Sequence, residues 1–279
     1  MALAETDASI ELLSIDSMQV YRGMDIGTAK PTPEEQAQVR HHLIDICEPS
    51  HDMSIVEFAE AYDTATADID QRSGRAVLVG GTGLYLRAVV DRLTPPPQFP
   101  YVVEELEQEP DTEALHRRLL ELDPAAAEKM EPTNRRRVLR ALSVTIGSGA
   151  PFSSFGPGLD AYPDVDVRLV GIDVDRELLD RRIDDRYDVQ MELGFLAEVE
   201  SLLDRDGGLG RTASQALGYK ELAAHLAGEM SLDEALDLAK QRTRRFARRQ
   251  QRWFRRDPRI EWFRHDGDIR PIVDTLISV

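Results

Sequence analysis

The chain has 279 residues, 42% of them apolar, which is enough to bury a large core and argues against disorder over most of its length. One cysteine, Cys47, excludes an internal disulfide framework and a cysteine-rich zinc site, and a net charge of −17 excludes indiscriminate coating of nucleic acid. No apolar run approaches the roughly 20 residues of a membrane span. Met1-Ala-Leu-Ala-Glu-Thr-Asp7 has neither the basic stretch nor the apolar run of a signal peptide, so the expected compartment is the cytoplasm, with no membrane partner.

In chain order, Ile10–Ile15 reads as a strand that Asp16-Ser17 ends in a polar turn, and His42–Ile46 as a second strand. Residues 54–72 open on a Ser cap and repeat apolar positions at helical spacing. Arg75–Val79 is an apolar strand running into Gly80-Gly81-Thr82-Gly83, and a helix follows. Alternating strands and helices predict an α/β fold with a parallel sheet, whose ligands gather at the carboxyl ends of the strands. Asp16 and Thr82 both belong at that edge.

The proline-rich stretch 94–100 breaks the pattern. Helices are expected at 112–122, after Asp123-Pro124 and after Thr133-Asn134. Residues 165–172 read as a strand returning to the sheet. Beyond it the sequence predicts helices to the end, over 176–193, 196–204, 219–227 and about 232–256. The domains expected are therefore an α/β core of 1–94 and 166–279, and a helical insertion of 95–165. Charge is uneven: residues 240–256 carry one Lys and eight Arg with no acidic residue, and Arg135-Arg136-Arg137 with Arg140 makes a shorter basic stretch. Such confined basic faces suit an anionic partner docked in one place; equally, the arginines could pair with the surplus carboxylates.

The string Ser14-Ile-Asp16-Ser17-Met-Gln19-Val-Tyr21-Arg-Gly23-Met-Asp25-Ile-Gly27-Thr28-Ala-Lys30-Pro31, with Val79-Gly80-Gly81-Thr82-Gly83-Leu84-Tyr85, resembles segments of the tRNA dimethylallyltransferases. Asn134–Leu142, Gln215–Lys220 and Arg248–Arg255 fit the same family, so the resemblance covers nearly the whole chain. It implies a core like that of the P-loop NTPases with a helical insertion. It implies transfer of a dimethylallyl group from dimethylallyl diphosphate to N6 of adenosine-37 in tRNA, by an enzyme acting as a monomer.

The resemblance makes Asp16 the general base, which suits a chemistry whose nucleophile is an amine delocalised into a purine. It brings Thr82 and Arg186 to the diphosphate, where donors and Mg2+ would stabilise the leaving group; Arg182, four residues before Arg186, shares its helix face. For tRNA it implies Ser17, Met18 and Gln19 at the target nucleotide. It also implies Arg136, Arg137, Val138, Leu139 and Arg140, then Gln215, Ala216, Leu217, Gly218, Tyr219 and Lys220, then Arg248, Arg249, Gln250, Arg252 and Arg255 at the anticodon stem-loop. Trp253 and Phe254 suit either base stacking or core packing.

Members of that family open with a strand and a Gly-x-x-x-x-Gly-Lys-[Ser/Thr] loop that holds a diphosphate. Neither precedes Ser14 here. The expectation is that both are encoded in frame upstream of Met1, that Thr82 and Arg186 without them hold prenyl diphosphate weakly, and that the strands at Ile10–Ile15 and Arg75–Val79 are left with open edges. Two other functions stay open on the sequence: prenylation of free adenylate, and RNA binding without catalysis.

Overall fold

The computed structural model describes residues 6–156, 158–265 and 268–277. They form two compact units, one of residues up to Arg92 and from Asp164 onward, the other Leu93–Pro163.

In the first unit β1 (Ile10–Ile15), β2 (His41–His42) and β3 (Arg75–Gly80) form a parallel sheet in the order β2–β1–β3. β1 and β3 run side by side from Ile10 opposite Arg75 to Ile15 opposite Gly80, so their carboxyl ends finish level. Helix α1 (Pro33–Gln38) follows β1, and α2 (Ile55–Gln71) connects β2 to β3. Both open on capping boxes, Thr32 with Glu35 and Ser54 with Glu57, as the Ser/Thr-x-x-Glu spacing dictates. Phe58 and Ile69 of α2 pack with Leu13 and Ile15 in the main core. Helix α3 (Gly83–Val90) leaves the end of β3.

β2 is shorter than the apolar run His42–Ile46 suggests. Leu43 and Asp45 take φ of +64° and +53°, which no strand accommodates. The chain turns there because its donors go elsewhere: Asp45 N–H bonds the Gln19 carbonyl at 3.1 Å and Ile46 N–H the Val20 carbonyl at 2.8 Å. β1, contrary to expectation, is paired on both sides; β3 keeps an outer edge with no strand partner among the described residues, and Val79 there is 53% exposed.

The second unit holds α4 (Pro100–Glu107), α5 (Thr112–Leu122), α6 (Pro124–Ala127) and α7 (Arg135–Ser148) around a core of Leu106, Leu115, Leu119, Val138 and Leu142. Buried Asp123 caps α6 through the Ala126 N–H at 3.1 Å and accepts the Ser153 N–H at 2.7 Å, tying the chain beyond α7 to the bundle.

The chain returns as β4 (Leu169–Asp173), α8 (Arg176–Glu192), α9 (Phe195–Leu203), α10 (Tyr219–Leu226), α11 (Leu232–Phe254), β5 (Ile260–Arg264) and α12 (Arg270–Ile277). β4 pairs with β5 in parallel, from Leu169 opposite Ile260 to Asp173 opposite Arg264. β5 corrects the expectation of helices to the end. Ile260-Glu-Trp-Phe-Arg264 is too short to declare itself, and its partner lies far upstream. β4 likewise starts only at Leu169, where Ile260 becomes available to pair, and among the described residues it does not return to the β2–β1–β3 sheet but forms a second sheet with β5.

Candidate active site

Asp16 and Thr82 meet because β1 and β3 end together. The Thr82 N–H bonds the Ile15 carbonyl at 3.2 Å, and the Ser17 N–H bonds Thr82 Oγ1 at 3.1 Å. Thr82 stands at the N-cap of α3 but makes no side-chain cap bond; its hydroxyl instead lies 3.3 Å from the Ser17 hydroxyl. Asp16 Oδ1 accepts the Met18 N–H at 2.8 Å, a local turn that fixes the carboxylate at the strand end. Burial pushes the Asp16 carboxyl above its ordinary value, against the opposing pull of the Met18 and Gln19 N–H groups and of the Arg186 charge. A carboxylate made more basic, in electrostatic reach of an arginine, is suited to taking a proton from a weakly acidic amine as that amine reacts.

Arg186 is exposed on α8, and among the described residues no direct hydrogen bond or ion pair engages its guanidinium. Two acidic neighbours that could have neutralised it are taken: Asp188 binds Lys240 at 2.6 Å and Asp184 binds Arg244. With Arg248 to Asp180 at 3.0 Å these pairs make a ladder, each partner four residues from the next on α8 and on α11. The ladder sets the antiparallel register of the two helices and leaves Arg186 free. Arg182 donates to His265 Nε2 at 3.2 Å instead.

The stretch between Ser17 and Lys30 is held as a loop by Lys30 itself and by two groups, Glu198 and Gln190, that carry no signal in the sequence. Glu198 of α9 accepts the N–H groups of Asp25, Ile26 and Gly27 at 3.0, 2.7 and 3.1 Å and the Tyr219 hydroxyl at 2.6 Å. Gln190 donates to the Ile26 carbonyl at 2.6 Å. Buried Lys30 donates to the Tyr21 carbonyl at 2.8 Å and to Asp25 and Asp45 at 2.6 Å each. Lys30 is thereby committed to the frame of the loop.

The segments read as RNA-facing divide by burial. Gln19 donates to the carbonyls of Thr28 and Ala29 and accepts from Ser14, while Met18 packs against the core. Val138 and Leu139 are core residues of the second unit, and Arg140 bonds the Pro96 and Pro97 carbonyls; Arg136 and Arg137 are exposed. Ala216, Gly218 and Tyr219 are buried, Leu217 is half-buried, and exposed Gln215 accepts from Lys220 at 2.9 Å. The side chains of Val138, Leu139, Ala216 and Tyr219 are buried in the protein's own packing.

On α11 the arginines split in the same way. Arg244 and Arg248 belong to the ladder, Arg242 pairs with Glu221, and Arg255 binds Asp173 at 2.9 Å while stacking over Trp262. Arg245, Arg249 and Arg252 are exposed on one face, with Arg249 over the Phe246 ring. Arg248 and Arg252 also line, with Arg176, a groove of about 340 Å³ between α8 and α11. Gln250 and Trp253 turn inward, toward the Gly81–Gly83 turn.

The family model described as IPP transferase matches residues 19–257 of this chain. The chain belongs to the IPP transferase family. It is 44% identical over 274 residues to the tRNA dimethylallyltransferase of Geobacter metallireducens, covering 96% of this chain and 88% of that one. It is 45% identical to the enzyme of that name from Bifidobacterium animalis, covering 99% and 79%. Among solved structures, the tRNA isopentenylpyrophosphate transferase of Bacillus halodurans superposes with a TM-score of 0.70 at 36% identity, covering 99% of this chain and 88% of that one. The α/β fold is thus that of the family.

Proposed function

We infer that this chain is a tRNA dimethylallyltransferase, which moves the dimethylallyl group of dimethylallyl diphosphate to N6 of adenosine-37 in the anticodon loop. One observation carries the chemistry: Asp16 and Thr82 are brought together at the carboxyl edge of β1 and β3, within the field of an unpaired Arg186. The adenosine N6 lone pair attacks C1 of the dimethylallyl group, and the C1–O bond breaks with its electrons going to the diphosphate. Asp16 takes the proton that the amine sheds. Thr82 and Arg186 face the charge that builds on the leaving group, where fixed donors act most strongly.

Among the described residues no three His, Cys, Asp or Glu side chains gather as a metal cage. A Mg2+ ion would be held mainly by diphosphate oxygens and water, and would neutralise charge on the leaving group. For the RNA, exposed Arg136, Arg137, Arg245, Arg249 and Arg252 offer phosphate contacts, while Ser17 and Met18, next to Asp16, would face the base. The protein works as a monomer in the cytoplasm, where its tRNA is found.

The test is a competition. The chain is given dimethylallyl diphosphate, Mg2+, an anticodon stem-loop and free AMP together, and the nucleosides are identified by mass. N6-isopentenyladenosine in the stem-loop alone supports the assignment. Product on AMP alone would make the protein an adenylate prenyltransferase, and stem-loop binding without product, also when the frame upstream of Met1 is included, a non-catalytic RNA binder.

A further inference from the structure

Helix α11 does more than present arginines. Gln250 Nε2 donates to the Gly81 carbonyl at 2.9 Å, and the Trp253 indole lies directly against Gly83. The fit is close at both places: a side chain at position 81 would displace the Gln250 amide, and one at position 83 would meet the Trp253 ring. A Cβ on Gly81 would stand 1.9 Å from Gln250 Nε2, and one on Gly83 would stand 2.2 Å from Trp253 Nε1. The next side chain, Gln251, donates to Asp173 at the end of β4 at 3.1 Å. The ladder to Asp180, Asp184 and Asp188 joins the same helix to α8, the helix of Arg186. α11 therefore touches both parts that meet the diphosphate, the Thr82 turn and the Arg186 helix, and its exposed face carries Arg245, Arg249 and Arg252.

We propose that Gln250 is a positioning residue, which through the Gly81 carbonyl fixes the turn bearing Thr82, so that α11 couples RNA docking to the geometry of the reacting diphosphate. The inference rests on the function proposed above. Gln250 sits in a segment read from the sequence as RNA-facing, yet its amide is spent on the protein's own backbone. The Gly81 carbonyl it holds is one residue from Thr82, whose hydroxyl meets the Ser17 amide next to Asp16. Letting that turn drift by about 1 Å is enough to cost roughly 10²-fold in rate.

Two variants test this from opposite sides. Gln250→Leu keeps the volume and removes the donor. Gly81→Ala leaves Gln250 intact and displaces it. Both should lower kcat by about 10²-fold with KM for the stem-loop within twofold of wild type, and the double variant should be no worse than either single one, because both break the same hydrogen bond. Arg252→Gln should instead raise KM. Amide hydrogen exchange over residues 79–85 gives a readout that needs no turnover: both variants should exchange faster there and unchanged in α10. If neither the 279-residue chain nor the frame read upstream of Met1 transfers a prenyl group, the proposed function fails, and exchange alone decides the positioning role. A raised KM at normal kcat for Gln250→Leu, additive effects in the double variant, or unchanged exchange in the turn would each overturn the proposal.

Discussion

The Ser17 amide donates to the Thr82 hydroxyl across 3.1 Å, joining two turns that lie 65 residues apart in the chain. The Thr82 hydroxyl is thus held at the strand edge by the residue next to Asp16, and diphosphate contact needs only that its proton swing from Ser17 to a phosphate oxygen. Thr82→Val keeps the shape and removes the donor. Its kcat should fall by about 10²–10³-fold, the usual cost of one donor aimed at developing charge, while stem-loop affinity measured by titration stays within a few-fold. Thr82→Ser should recover most of the rate.

Asp16→Asn separates catalysis from stability. Asn keeps an acceptor for the Met18 N–H but cannot take a proton, so kcat should fall by about 10² or more with little change in RNA binding. The stability effect has the opposite sign. Because burial raises the Asp16 pKa, the folded protein holds that proton more tightly than the unfolded chain. Stability is then lost as pH rises from the ordinary carboxylate value through the raised one, and the penalty persists at neutral pH. Asp16→Asn should therefore melt higher at pH 7, and in the wild type kcat/KM should fall on the acid side as Asp16 protonates. An Asn variant that melts lower and keeps its rate would make Asp16 a structural turn.

The arginines of α11 predict two different phenotypes. Replacing Arg245, Arg249 and Arg252 by Gln should leave the melting temperature in place and flatten the salt dependence of stem-loop binding, by about 0.7 log units of slope for each phosphate no longer neutralised. Replacing Arg244 and Arg248 removes two rungs to Asp184 and Asp180, partly exposed pairs worth about 0–1 kcal/mol each. That pair of changes should lower the midpoint of urea unfolding and alter the salt slope far less.

The strands that position the site were legible because the runs Ile10–Ile15 and Arg75–Val79 are apolar, short and followed by turn residues, and the caps at Ser54 and Asn134 mark real helix starts. β5 was not, since five residues with a distant partner carry no local signal. Asp16 and Thr82 could be placed at one edge from the parallel pattern alone. Glu198 and Gln190 could not be found: each is an ordinary polar position on a helix, and only the folded chain reveals the backbone groups it binds. In the same way, nothing in the run of arginines distinguishes Arg248, which faces Asp180, from exposed Arg252.

Acid unfolding should report on Glu11, which sits on β1 between Arg72 and His42 at 2.9 and 2.7 Å. The Arg72 hydrogen bonds, helped by His42 and opposed by burial, hold its carboxyl down to about 2. A depressed carboxylate contributes stability above its unfolded value of 4.5, and that contribution is lost as pH falls toward about 2. Glu11→Gln should therefore unfold at lower urea than wild type at pH 7, and the two curves should converge toward pH 2. A gap that is the same at both ends would mean that the carboxylate's charge contributes nothing.

The central claim, amine alkylation at an adenosine of the anticodon loop, is tested most directly by changing one atom group of the substrate. Labelled dimethylallyl diphosphate is incubated under single-turnover conditions with two stem-loops, one with adenosine at the target position and one with purine riboside, which lacks the N6 amine. The reaction is run with the 279-residue chain and with the frame read upstream of Met1. Label should enter the adenosine stem-loop alone, as N6-isopentenyladenosine, and Asp16→Asn should slow its entry by about 10²-fold or more. Label in both stem-loops, or in neither with either length of protein, would contradict that claim.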